Sequence, residues 1–157
     1  MEKLGNQLKF ENYQEQFKRL NSALKNGFNL EAMFIESAII EDRTESVLHH
    51  AEKWEAYLKK RGRYESTLNS KIVYIQKLAE SDRKNMLYRY FSDNLLDRIL
   101  SWKEDRNRLI HALLKQQLEN NEVAVIALEG KQLAEELRNR VRNYNRTVDK
   151  RKSKGLS

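Results

Sequence analysis

Apolar residues recur at steps of three and four along most of the chain, the spacing of helices that each bury one face. From Gln7 to Asn26 the stripe is Phe10, Tyr13, Phe17, Leu20 and Leu24, and Asn26-Gly27 supplies a stop. Asn29 is placed to cap a second helix. That helix carries Leu30, Met33, Phe34, Ile40, Val47 and Leu48 on one side and Ile35 and Ile39 on another, and a helix apolar on two sides belongs at the centre of a bundle. At about 100° per residue, Glu41 falls within about 20° of Leu30, so a carboxylate interrupts the main apolar face.

Further along, Ala51 to Gly62 reads as a short amphipathic helix stopped by glycine and followed by a loop. Ser70 to Ala79 reads as another short helix, presenting Ile72, Ile75 and Leu78, or Leu68 and Val73, to its neighbours. Met86 to Phe91 is rich in aromatics beside Arg89, for which packing is a stronger expectation than base stacking. Ser92 or Asp93 is placed to cap the helix that follows, with Lys103 as the place for a break. Its apolar stripe runs through Leu95, Ile99, Trp102, Ile110, Leu113 and Leu114, and Arg106 stands in the middle of it. A guanidinium in a core-facing position needs a partner or a wet cleft, because an unpaired buried charge is very costly. Glu41 is the candidate partner. Val123, Ile126, Gly130, Leu133, Leu137, Val141, Tyr144 and Val148 then mark a final helix of some seven turns. Gly130 on that stripe permits close approach of another backbone, and the helix end is expected to project or to pack on a second subunit.

Composition supports an all-α chain. There is no proline, there are five glycines, and 34% of the 157 residues are charged against 39% hydrophobic. The expected organisation is one helical domain over residues 1–149 and a basic flexible tail over 150–157. Arg138 to Lys154 carries eight basic residues against Asp149 alone, which matches the whole net charge of +7. Such a segment suits phosphates. With no cysteine there is no disulfide framework or thiolate metal site. His49 and His50 are adjacent, so they point in different directions, and neither a metal nor any other cofactor is expected. No apolar run approaches the length of a membrane span, and Met1-Glu2-Lys3-Leu4 leads into no signal core, so the expectation is a cytoplasmic protein without membrane association.

The segment Arg106-Asn107-Arg108-Leu109-Ile110-His111 resembles the signature of the HEPN (higher eukaryotes and prokaryotes nucleotide-binding) superfamily: an arginine, a polar residue directly after it, and a histidine beyond four to six intervening residues. Here four intervene. The long final helix from Glu129-Gly130-Lys131 onward, and Phe34-Ile35-Glu36-Ser37-Ala38-Ile39-Ile40-Glu41-Asp42-Arg43, also look like helices of that superfamily, so the likeness covers about Leu30 to Arg142. Arg43 and His49 stand at a permitted spacing too, but Thr44 follows that arginine and the pair lies in an earlier helix, which reads as coincidence.

The resemblance implies a HEPN-like up-and-down bundle with short additional helices and a long C-terminal helix. It implies a metal-independent endoribonuclease, of the kind found as toxins and antiphage effectors, in which the RNA's own 2′-hydroxyl attacks the neighbouring phosphate. Histidine exchanges protons near neutral pH, arginine offers a permanently charged fork to a crowded phosphorane, and asparagine orients without adding charge. Arg106, Asn107 and His111 are thus the candidate catalytic residues, with Glu41 supporting Arg106. Arg108, Lys150, Arg151, Lys152 and Lys154 are the candidate RNA contacts. A homodimer that lines one cleft with two motifs is implied, and an antitoxin or nucleotidyltransferase-type partner is a further candidate. The competing reading is a non-catalytic helical module that dimerises, or binds a nucleotide or a protein.

Overall fold

With no proline to interrupt it, the chain is helical wherever its turns allow. The computed structural model describes residues 2–61, 66–115 and 118–155, and among these it holds seven helices and no strand. They are α1 (Glu2–Lys25), α2 (Asn29–His50), α3 (Trp54–Arg61), α4 (Leu68–Ser81), α5 (Met86–Phe91), α6 (Leu95–Ala112) and α7 (Asn120–Ser153). No helix is long and apolar enough to cross a membrane among the described residues.

Gly27, at φ 76°, reverses the chain between α1 and α2, a conformation open to glycine at little cost. The N-cap of α2 is Phe28, without a side-chain cap bond, and Asn29 is already the first helical residue. The expected cap at Asn29 is therefore one position out. Thr67 and Ser70 close a reciprocal capping box at the start of α4, and Asn85 caps α5 by accepting from the Tyr88 amide. Asn94 is the N-cap of α6, while Asp93 accepts from the Leu95 amide at 3.4 Å. α6 runs past Lys103 without a break.

The central position expected for α2 is observed: it packs on α1, α3, α4 and α7. α7 runs parallel to it, with Gly130 facing Glu36, Asn145 bonded to Ser46 at 3.1 Å, and Lys152 paired to Glu52 at 3.1 Å. The end of α7 thus packs on its own chain rather than projecting from it. α6 returns antiparallel to α7 through Trp102 to the Ile126 carbonyl at 2.9 Å, Arg98 to Glu136 at 2.7 Å and Arg140 to Asp93 at 2.8 Å. Phe91 and Tyr90 meet Tyr144 edge to face, and Tyr90 shares a hydrogen bond with Thr147, so the aromatics of α5 serve packing. Residues 150–153 continue α7, because no glycine or proline occurs between Gly130 and Gly155 to stop it. Gly62, the expected stop of α3, lies outside the described residues.

Where α2, α6 and α7 meet, the core contains a charge-bearing group. Glu36 is fully buried with Trp102 beside it, and neither carboxylate oxygen has a hydrogen-bond partner. A Cβ at Gly130 would lie 2.6 Å from one of these oxygens and 2.6 Å from the Trp102 ring. The close approach anticipated at Gly130 is made by two side chains rather than by a backbone. Burial pushes the Glu36 carboxyl up to about 8.

Candidate functional site

One turn after Trp102 the apolar stripe of α6 reaches the surface, while Leu109 on a neighbouring face keeps the helix packed on the core. Arg106 is half-buried at that edge. Its Nη1 donates to Ser37 Oγ, which in turn donates to the Met33 carbonyl at 2.7 Å. Its Nη2 and Nε reach Asn107 Oδ1 at 2.9 and 3.3 Å, and the guanidinium lies 5.4 Å from the centre of the Trp102 ring. Burial lowers the Arg106 pKa, and the charge of Glu41 opposes this at a distance. Arginine titrates so high that it stays charged regardless. The site therefore holds a permanent, partly desolvated cation in a fixed orientation.

Beside it runs a groove of about 350 Å³ between α2 and α6, lined by Leu30, Met33, Phe34, Ser37, Ile110 and Leu113 together with Arg106. Past Leu30 and Leu113 it continues into a hollow lined by Phe28, Leu118 and Val123. Phe34 is 77% exposed, and Phe28, Leu30, Ile110 and Leu113 are exposed as well. A contiguous apolar surface around a cation is unusual for a finished monomer surface.

The structure brings Arg106 and Asn107 together and leaves His111 apart from them. His111 is exposed in the last turn of α6, and no hydrogen bond joins it to either residue. At about 100° per residue it lies about 140° around the helix from Arg106, with Asn107 between them and one turn below it. Within one copy, imidazole and guanidinium do not converge on a single point.

Glu41 does not hold Arg106. Lys71, whose side chain is 5% exposed on α4, takes Glu41 at 2.5 Å and Glu45 at 3.6 Å. The polar partner supplied by α2 is Ser37, on the same face of the helix but one turn nearer its N-terminus. Spacing revealed that face; the level at which α6 crosses it depends on packing around Gly130 and Trp102. Arg108 is exposed and pairs with Asp105 at 3.3 Å.

The four C-terminal cations separate. Lys150 lines a hollow between α1 and α7, whereas Arg151 and Lys152 line another against the end of α2, and Lys154 is exposed. His49 stacks on Trp54 and His50 bonds to the Ser46 carbonyl, both local roles. Arg43 is bonded to Tyr13 and Asp42, consistent with a coincidental motif spacing at Arg43 and His49. Among the described residues no group of three or more His, Asp or Glu could hold a metal ion.

No family model matches the chain, and neither a characterised protein nor a solved structure matches it.

Proposed function

We propose that this chain is a metal-independent endoribonuclease of the HEPN type that works as a two-fold dimer. The observation that supports it most is the pairing of Arg106 with Asn107 on the rim of an uncovered apolar groove, with His111 exposed one turn further on. A second copy docked over Phe34, Ile110 and Leu113 buries that surface. It also supplies the second histidine that in-line cleavage needs.

In the proposed reaction the RNA 2′-hydroxyl gives its proton to one His111 and its oxygen attacks the adjacent phosphorus. The bond from phosphorus to the 5′-oxygen breaks, and the departing oxygen takes a proton from the other copy's His111. The products are a 2′,3′-cyclic phosphate and a 5′-hydroxyl. Arg106, held by Asn107 and Ser37, faces the extra negative charge of the phosphorane, where a prepositioned donor in a dry site is most effective. A toxin or antiphage role, with an antitoxin or nucleotidyltransferase-type partner as control, is the wider form of the same proposal.

His111→Ala and Arg106→Ala are each expected to abolish cleavage of single-stranded RNA in EDTA while leaving helicity and dimer mass unchanged. Full cleavage by purified His111→Ala would overturn the assignment. The reading as a non-catalytic dimerisation or interaction module has one observation in its favour: both faces of the Arg106 fork are occupied by groups of its own chain. Absence of cleavage by the wild-type dimer would select that reading.

A further inference from the structure

A second charged surface lies on the opposite side of α2 from α4, towards the other end of the bundle from Arg106. Between α1 and the C-terminal half of α7 runs an open groove of about 760 Å³, into which Lys9, Arg43, Arg138, Arg142, Arg146 and Lys150 all face. Asp149 is the lone acidic residue in its lining. Two of the six cations are already answered: Arg43 by Asp42 at 2.7 Å, and Lys9 by the same carboxylate at 3.5 Å. Arg142, Arg146 and Lys150 have no acidic partner among the described residues. Arg138 stacks on Phe17 with its guanidinium carbon 4.2 Å from the ring centre, and its Nε is buried without a hydrogen-bond acceptor.

Arg138, Arg142, Arg146 and Lys150 recur every fourth residue, so they form a row with a step of about 6 Å along α7. Repulsion within such a row is a cost to the free protein, and a chain of phosphates would relieve it. The groove is not purely ionic. Phe10 on α1 lines it and is 60% exposed, and Tyr13 lies beside it under the Arg43 guanidinium. Cations tracking a backbone and an exposed ring that offers a stacking surface are the two elements of single-strand recognition.

We propose that the α1/α7 groove binds the sugar-phosphate backbone of single-stranded RNA, with a base stacked on Phe10, as a holding site separate from the Arg106 motif. The choice of RNA among polyanions rests on the nuclease reading; the groove itself does not. The test uses a fluorescein-labelled single strand of about 12 nucleotides with every 2′-hydroxyl methylated, a length within the range of known single-strand sites. This probe cannot undergo 2′-hydroxyl attack, so binding is read without cleavage.

Arg142 and Arg146 are both exposed, and Arg142→Gln with Arg146→Gln is expected to leave the circular dichroism spectrum unchanged. The double variant should reduce the slope of log affinity against log salt by about 1.4, the single-strand value for two lost phosphate contacts. Phe10→Ala should weaken binding about fivefold or more. Lys77→Gln with Lys84→Gln, which removes the same charge from exposed sites elsewhere, should leave the slope near that of the wild type. Equal slopes for the wild type and the Arg142/Arg146 variant, or equal losses in the two double variants, would overturn the proposal. Binding that ignores Phe10→Ala and is as tight for the duplex of the same sequence would overturn the single-strand assignment. So would binding to phosphatidylserine vesicles, dependent on the same two arginines, in a protein that does not bind the RNA. RNA held in the groove by a protein that never cuts sinks the nuclease reading alone. Cleavage that needs His111 with binding indifferent to the groove sinks this proposal alone.

Discussion

Replacing Glu36 by glutamine tests the account of the core most directly. The carboxyl is fully buried, has no hydrogen-bond partner, and is pushed from an ordinary value of 4.5 up to about 8 by desolvation. In the unfolded chain it ionises through the ordinary carboxylate range; in the folded chain it keeps its proton to much higher pH. The folded-state value is the raised one, so its contribution to stability is fully present below pH 4.5, is lost progressively as pH rises, and reaches its floor above pH 8. Between about pH 5 and pH 8 those two values correspond to about 3 kcal/mol, with a limiting slope of about 1.4 kcal/mol per pH unit for one proton.

Glutamine occupies nearly the same volume and does not titrate. Its amide will carry its own desolvation penalty, but that penalty is independent of pH. The quantity to measure is therefore the difference in unfolding free energy between wild type and Glu36→Gln, from urea titrations followed by circular dichroism across about pH 5 to 8. The expected result is a difference that moves in favour of glutamine by about 3 kcal/mol over that range, other titrating groups cancelling between the two proteins. Two stability curves that stay parallel would refute it, since they would mean the folded carboxyl ionises as readily as the unfolded one.

Gly130→Ala should destabilise the fold by about 1–3 kcal/mol despite alanine's better helix propensity, because its Cβ meets Glu36 and Trp102, both fully buried with little room to move. Urea midpoints measure this, and a gain in stability would show that the contact relaxes. Thr67→Ala removes the acceptor of the α4 capping box and should cost about 1 kcal/mol. An unchanged melting temperature would refute it.

Much of this architecture is local and was therefore legible in sequence. The three-four spacing of Val123 to Val148 places α7, Asn26-Gly27 places the first reversal, and the double apolar face of α2 places that helix at the centre. What spacing cannot give is the level at which one helix crosses another. Glu41 and Ser37 share a face of α2, and the arginine meets the serine because α6 is anchored one turn earlier by Trp102 on Ile126 and by the glycine notch at 130. The excess of charge after Arg138 is plain in composition. That four of these cations form a row facing α1 depends on which flank of α7 that helix occupies. Glu36 had no signal of its own, since a glutamate on a helix is ordinarily solvated.

The same packing sets what the candidate site holds in place and what it leaves exposed. Trp102, fully buried and tied to α7, fixes the turn of α6 from which Arg106 projects, and Ser37 and Asn107 fix the guanidinium from two directions. Beyond that turn, among the described residues, no helix lies over Ile110 and Leu113 of α6 or over Leu30 and Phe34 of α2. An exposed apolar rim and a partly desolvated cation have opposite demands on water. In the proposed dimer a second copy covers both, which satisfies the first and intensifies the second until an anion is bound. On the proposed reading, dimerisation is thus linked to substrate: RNA with its phosphate against Arg106 should tighten the dimer, and by reciprocity the dimer should bind RNA more tightly than the monomer.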